Sequence, residues 1–185
     1  MRNELSDGKI RIRRYRADDV DALFESVRES IAEASKWLPW CHANYSRDES
    51  CEWIGSRDQA WESGVEYDFV IVDVESGLFL GGCGINTVDN LNKRANMGYW
   101  VRRGRTGKGI ATSAAILAAR FGFEDAGLVR LEIVTAVGNR ASQRVAEKSA
   151  AVREGIARNR LMLQGNPHDA IIFSLIPNDL RLGAG

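Results

Sequence analysis

One stretch limits the folds open to this chain more than any other: YWVRRGRTGKGIATSAAILAARFGF, from Tyr99 to Phe123. It is entered through an apolar β-type run, Gly98-Tyr99-Trp100-Val101, and passes into a basic, glycine-bearing turn from Arg102 to Gly109. Beyond the turn, Ile110, Ala114, Ile116, Leu117 and Phe121 recur at helical spacing. Strand, glycine turn and helix in that order offer backbone N–H groups to a phosphate. The first N–H groups of a helix lack intrahelical partners, and the helix dipole makes that end electropositive. Gly107 and Gly109 carry no Cβ to hold an anion away, and they accept positive φ. Arg102, Arg103, Arg105 and Lys108 add positive charge. The stretch reads as a pyrophosphate site; the plainer reading is a basic connection whose glycines serve only a tight turn.

Two phosphate motifs fail on these letters. A P-loop requires Gly-x-x-x-x-Gly-Lys-Ser/Thr, and Gly104 and Gly109 have the spacing, but Ile110-Ala111 follow them. The dinucleotide fingerprint requires Gly-x-Gly-x-x-Gly after the first strand of a βαβ unit. Here Gly107-Lys108-Gly109 leads to Thr112 in the third place, late in the chain.

The pattern that remains resembles the acetyl-CoA loop of the GNAT acyltransferases, Gln/Arg-x-x-Gly-x-Gly/Ala, with Thr106-Gly107-Lys108-Gly109-Ile110-Ala111 in its place. Gly109 and Ala111 match, whereas Thr106 departs from Gln/Arg and removes one long side chain, for which Arg105 or Lys108 can substitute. Further stretches are similar to the branch that acetylates the N-termini of ribosomal proteins. They are Trp37-Leu38-Pro39-Trp40, Asn92-Lys93-Arg94-Ala95 running into Gly98-Tyr99-Trp100, and Asn139 with Ser142, Val145 and Lys148. The likeness spans about residues 9–178, so one acetyltransferase domain over residues 1–185 is expected. It implies an α/β fold with a mixed, mostly antiparallel sheet, flanked by helices and splayed at the cofactor site. It also implies acetyl-CoA, held by Val101, Arg102, Arg103, Thr106, Gly107, Lys108, Gly109, Ile110, Ala111, Thr112, Asn139 and Ser142.

Length and composition agree. A chain of 185 residues fits one domain with a substantial core. Lys+Arg and Asp+Glu both number 25, a balance that argues for no nucleic-acid or membrane partner. Cys41, Cys51 and Cys83 lack CxxC spacing, and with only His42 and His168 beside them no metal site is expected. Reduced thiols, no signal peptide and no apolar run of membrane-spanning length point to the cytoplasm. Whether the chain is a monomer or a homodimer stays open.

The elements follow by pattern. Residues 1–8 are polar and expected to fray, and Lys9–Tyr15 alternates as a strand. Ala17–Ser30 and Arg47–Ser63 read as helices, the second amphipathic through Cys51, Ile54 and Trp61. Glu66–Asp73, Leu78–Val88, Arg94–Val101 and Leu128–Val137 read as strands, with tight turns at Glu75-Ser76-Gly77 and at residues 89–93. A helix from Gly138-Asn139 to about Ser149 precedes a hairpin of Glu154–Leu163 and Asp169–Ile176, with its bend near Gly165-Asn166-Pro167.

Acetyl transfer to an amine needs a neutral amine, a polarised thioester carbonyl and a proton for the departing thiolate. Ser142 is the candidate proton donor: with Asn139 as N-cap it lies in an electropositive first turn. The alternative is that Asn139 caps and Ser142 is ordinary first-turn sequence. Relatives often carry Glu on the strand leading to Gly-Tyr-Trp, where this chain has Asn96, so Glu132 and Asp169 are the carboxylates left as candidates, with His42 and His168 behind them. Trp37, Trp40, Asn96 and Asp169 form the expected acceptor site, although Trp37, Trp40 and Tyr45 also suit a core plug between helices. A reference pKa of ~7.7–8.0 for an α-amine against ~10.4 for lysine makes lysine harder to neutralise by roughly 3.4 kcal/mol, so a site without an evident base favours the α-amine of a protein N-terminus. Lys148-Ser149-Ala150-Ala151 replaces the usual Lys-x-Gly-Phe and leaves the substrate class open, with a small-molecule amine or a catalytically lost CoA-binding module as the other readings.

Overall fold

The β-type runs pair into a sheet, and the amphipathic segments lay their apolar stripes on its faces. The computed structural model describes residues 1–181. In it the strands are β1 (Glu4–Ser6), β2 (Ile10–Arg14), β3 (Tyr67–Asp73), β4 (Phe79–Asp89), β5 (Arg94–Val101), β6 (Arg130–Ala136), β7 (Val152–Leu163) and β8 (Asn166–Leu175). They form one sheet in the order β1-β2-β3-β4-β5-β6-β8-β7. All neighbours run antiparallel except β5 and β6. The helices are α1 (Val20–Ala34), α2 (Arg47–Glu62), α3 (Ile110–Glu124), α4 (Arg140–Lys148) and the short α5 (Pro177–Arg181). This is the mixed, mostly antiparallel architecture expected.

Alternation along the strands divides the core in two. Phe69 and Ile71 of β3 join Ile85, Met97, Leu131 and the apolar stripe of α3 (Ala114, Leu117, Ala118, Phe121) on one face. Val70 and Val72 point the other way, to Leu23 and Val27 of α1 and Ile54 of α2. Trp61 at the end of α2 stacks edgewise on Phe69 and Tyr67, with centroids 5.0 and 5.3 Å apart. Such pairs add about 0.5–1.5 kcal/mol each beyond burial.

Three features of this frame shape the site. Pairing between β5 and β6 stops after Arg94↔Arg130, Ala95↔Leu131 and Asn96↔Glu132, although β5 runs on to Val101 and β6 to Ala136. Beyond Asn96 the two strands splay, and β6 keeps its ladder only with β8. At the start of α4, the Asn139 side chain accepts a hydrogen bond from the Ser142 N–H at 3.1 Å, which is the expected cap. At the start of α2, Ser46 and Glu49 close a reciprocal capping box that fixes the end of the aromatic segment before it.

Several boundaries differ from the sequence reading. The N-terminus does not fray: Glu4–Ser6 pair with Arg11–Arg13, and Arg2 forms ion pairs with Glu124 and Asp125 at the end of α3. Those partners lie more than 120 residues away in sequence, beyond any local pattern. In α2, Ile54 and Trp61 are buried as expected, but Cys51 is exposed and Ser50 is buried in its stead. The final hairpin begins at Val152 and bends at Gln164-Gly165, because both have positive φ (50° and 77°), leaving Asn166 and Pro167 in β8.

Candidate active site

Strand β5 delivers the chain to the glycine turn. Gly107 (φ 75°) and Gly109 (φ 78°) both take the left-handed conformation, and a Cβ built on either meets nothing within 4 Å. Gly109 is the N-cap of α3, so the unpartnered N–H groups of that helix open onto the space beside it. The basic residues of the turn divide into two kinds. Arg102 is committed elsewhere: it pairs with Glu29 of α1 through Nε (2.8 Å) and Nη2 (2.6 Å) and reaches the Phe79 carbonyl. Arg103 pairs with Glu33 at 3.1 Å, and its N–H donates to the Ser30 hydroxyl. The turn is thus fastened to α1, and Arg105 and Lys108 are left as its exposed cations.

A single cavity of about 1300 Å³ begins at this turn. Val101, Arg103, Arg105, Thr106, Gly107, Gly109, Ile110, Ala111 and Thr112 line its first part, and Asn139, Ser142, Val145 and Lys148 of the α4 region line the opposite side. Between them the splayed edges of β5 and β6 (Gly98, Tyr99, Ile133, Thr135) form its floor. Tyr99 crosses the splay: its hydroxyl donates to the Ser142 carbonyl at 3.0 Å and lies 3.2 Å from the Ser142 hydroxyl. Burial pushes the Tyr99 phenol up to about 12, so it is a protonated donor at neutral pH. Among the described residues the Thr135 hydroxyl is buried without a hydrogen-bond partner.

The far part of the cavity is aromatic. Trp40 stands edgewise to Trp100 (5.7 Å between centroids) and to Tyr45 (6.4 Å), with Tyr15 and Trp53 beside them. Trp37 reaches across to Gly138 at the β6–α4 corner, where an added Cβ would lie 3.3 Å from its ring. Trp37 and Trp40 therefore line the cavity and are not sealed in the core; Trp40 is 43% exposed, while Tyr45 is buried and bonded to Ser50. Asn96 also lines it, donating to the Asn86 side chain at 3.0 Å.

Four expected site residues do not join this cavity. Arg102 is held by Glu29, and Lys108 projects to solvent outside the lining. Glu132 is turned to Arg130 (3.0 Å) and Arg94 (3.9 Å), which compensate its charge outside the cavity. The Asp169 carboxylate accepts from the Asn159 N–H at 2.8 Å and is exposed on the hairpin. Neither carboxylate lines the cavity, because strand register, not sequence proximity, decides which residues face it. Three other acidic groups do line it: Glu33, which is paired with Arg103, then Glu49 and Asp68. Glu49 meets His42 at 2.8 Å near the mouth. Asp68, on β3, lies deeper among the aromatics. The sequence carried a signal for Asp68: a lone acid inside the apolar run Tyr67–Val72.

A left-handed glycine turn at a helix N-terminus, beside two splayed parallel strands, defines an acyltransferase-type site, and the chain belongs to the GNAT acetyltransferase family, whose domain matches residues 9–152. YdaF of Bacillus subtilis (strain 168), named provisionally a ribosomal N-acetyltransferase, is 31% identical over 173 residues, covering 92% of each chain. A Vibrio cholerae structure, named provisionally a ribosomal-protein-serine acetyltransferase, is 28% identical with a TM-score of 0.79 over 94% of this chain and 97% of its own. The fold is shared with RimL, a ribosomal L7/L12 alpha-N-protein acetyltransferase solved with coenzyme A, at 24% identity, TM-score 0.82, and 91% and 94% coverage.

Proposed function

We propose that this protein moves an acetyl group from acetyl-CoA to the α-amine of a protein N-terminus. One observation carries the reading: a single cavity joins the glycine turn of α3 to an aromatic compartment through the gap where β5 and β6 part. Donor and acceptor can therefore meet from opposite ends. The residues fit the donor. Gly107 and Gly109 leave room for phosphate oxygens at the α3 N-terminus, and Arg105 lines the cavity there with positive charge.

When bound, acetyl-CoA supplies an acetyl group activated as a thioester. The protein's own residues do the rest. Tyr99 and Ser142 hold two hydroxyls together at the gap, placed to give a proton to a leaving thiolate, and the first turn of α4 favours negative charge there. Trp40, Trp100 and Tyr45 wall the compartment and limit water around the incoming amine. A ribosomal-protein acceptor is in keeping with the names of YdaF and of the Vibrio cholerae relative.

A competition tests it. A peptide with a free N-terminus and the same peptide N-blocked but bearing lysine are offered together with acetyl-CoA. Faster acetylation of the free N-terminus is expected. Preference for the lysine peptide defeats the α-amine assignment, and indifference to both with turnover of a small amine shifts the acceptor to that class.

A further inference from the structure

The acceptor end of the cavity contains a carboxylate that the proposed acetyl transfer has not yet used. Asp68 lies on β3, paired with Gly84 of β4, which is paired in turn with Gly98 of β5. Neither glycine carries a side chain, so a bare lane of backbone leads from Asp68 to the gap beside β5. A Cβ at Gly84 would collide with Asp68 Oδ1, which shows that the carboxylate leans over this lane. From Gly84 to Gly98 is one strand spacing, about 4.8 Å. The other oxygen, Oδ2, is taken by Arg57 Nη1 at 2.6 Å, and Arg57 is itself stacked on Trp53 and bonded to Glu66. The carboxylate is therefore fixed in orientation, with Oδ1 left toward the cavity.

We propose that Asp68 is a catalytic residue: its Oδ1 binds the ammonium form of the acceptor and takes its proton. The inference rests on the reading of the protein as an acetyl-CoA-dependent acetyltransferase of α-amines. The surroundings set the strength of the base. Burial raises the Asp68 carboxyl to about 6, against Arg57, which favours the ionised form, while Glu66 opposes it. Tyr15 and Cys83, the other titratable groups against it, are pushed up by burial and stay neutral, and the His42–Glu49 pair stands at the mouth of the same cavity. An α-ammonium near ~7.7–8.0 lies much closer to such a base than a lysine ammonium near ~10.4, so the site selects for N-termini.

The step balances. One ammonium proton passes to Oδ1, and the freed lone pair forms the N–C bond to the acetyl carbonyl carbon as the C–S bond breaks. The thiolate leaves with a proton from the Ser142–Tyr99 hydroxyls, the second N–H proton released on amide formation restores that hydroxyl, and Asp68 returns its proton to water. Each turnover therefore releases one proton.

The test is the pH profile of kcat/KM for a free-N-terminus peptide, with acetyl-CoA Kd measured in parallel. In the wild-type protein the profile should rise through about pH 6 and decline near ~7.7–8.0 as the peptide ammonium is lost. Asp68→Asn should lower kcat/KM by about 10²–10⁴-fold, abolish the acid limb, and leave acetyl-CoA Kd within about two-fold. Gly84→Ala, which keeps the carboxylate but displaces it, should give a smaller fall with the same unchanged Kd. A wild-type profile that only rises through the peptide's pKa overturns the proposal without any variant being needed. An unaltered acid limb in Asp68→Asn does the same, as does an unchanged kcat/KM in Gly84→Ala should the first variant not fold. Turnover by the wild type with an unaffected Asp68→Asn sinks this inference alone; no turnover of any amine sinks the acetyltransferase reading and this one together.

Discussion

Replacing Gly109 by alanine separates the two tasks assigned to the glycine turn. Gly109 has φ 78° and ψ −3° and caps α3 at its N-terminus. An L-residue in that conformation costs about 1–2 kcal/mol, of which the reduced freedom of the unfolded chain returns about 0.4–1 kcal/mol. The folded state should lose about 0.5–1.5 kcal/mol, which lowers Tm by roughly 1–6 °C in a domain of this size. No atom of the described residues lies within 4 Å of the added methyl, so nothing among them is crushed. The methyl instead enters the space where an anion would approach the free N–H groups. Loss of one hydrogen bond to a charged group costs about 1.5–3 kcal/mol, equivalent to a rise in acetyl-CoA Kd of about 10- to 150-fold. Titration calorimetry reads the affinity and scanning calorimetry the strain. Gly104→Ala is the control, because Gly104 has no positive φ and equally open space, and it should change neither. A lowered Tm with Kd unchanged would mean that the glycine serves the turn alone, and the phosphate site would have to be sought elsewhere.

Four further outcomes follow from the structure. Arg105→Ala should weaken acetyl-CoA binding several-fold at low salt and less at 0.5 M, where screening is strong. Arg102→Ala should leave Kd within about two-fold but cost about 1 kcal/mol of stability through the lost Glu29 pair; the reverse pattern by calorimetry refutes the division of roles. Ala150 has φ 68°, in the Lys-Ser-Ala-Ala stretch where relatives have glycine, so Ala150→Gly should stabilise by about 0.5–1 kcal/mol, and a fall in Tm counts against it. Arg130 and the Ser174 hydroxyl hold the Glu154 carboxyl down at about 2. A lowered folded pKa contributes stability above the unfolded value of ~4.3 that is lost as pH falls from there toward 2. Denaturant midpoints for Glu154→Gln at pH 7, 4 and 2.5 should accordingly decline less steeply than those of the wild type, and parallel declines reject the linkage.

The sequence by itself determined the local chemistry: the strand–glycine–helix order at residues 98–123, the Asn139 cap with Ser142 in the first turn of α4, and the identity and order of nearly every strand. These were legible because each depends on residues within one or two turns of one another, where periodicity and capping act. Tertiary structure alone decided who faces the cavity. Arg102 looked like a phosphate ligand but is claimed by Glu29, 73 residues away. Glu132 and Asp169 looked like bases but find partners outside the cavity in Arg130 and the Asn159 N–H. Asp68 drew no notice in its apolar strand until the register placed it over Gly84 and level with Gly98. Tyr99 gained a role only when the parting of β5 from β6 brought α4 to it. A charge is neutralised or left free by whatever the fold brings within a few ångströms. That is a long-range outcome of strand order and register, which no local pattern in the chain encodes.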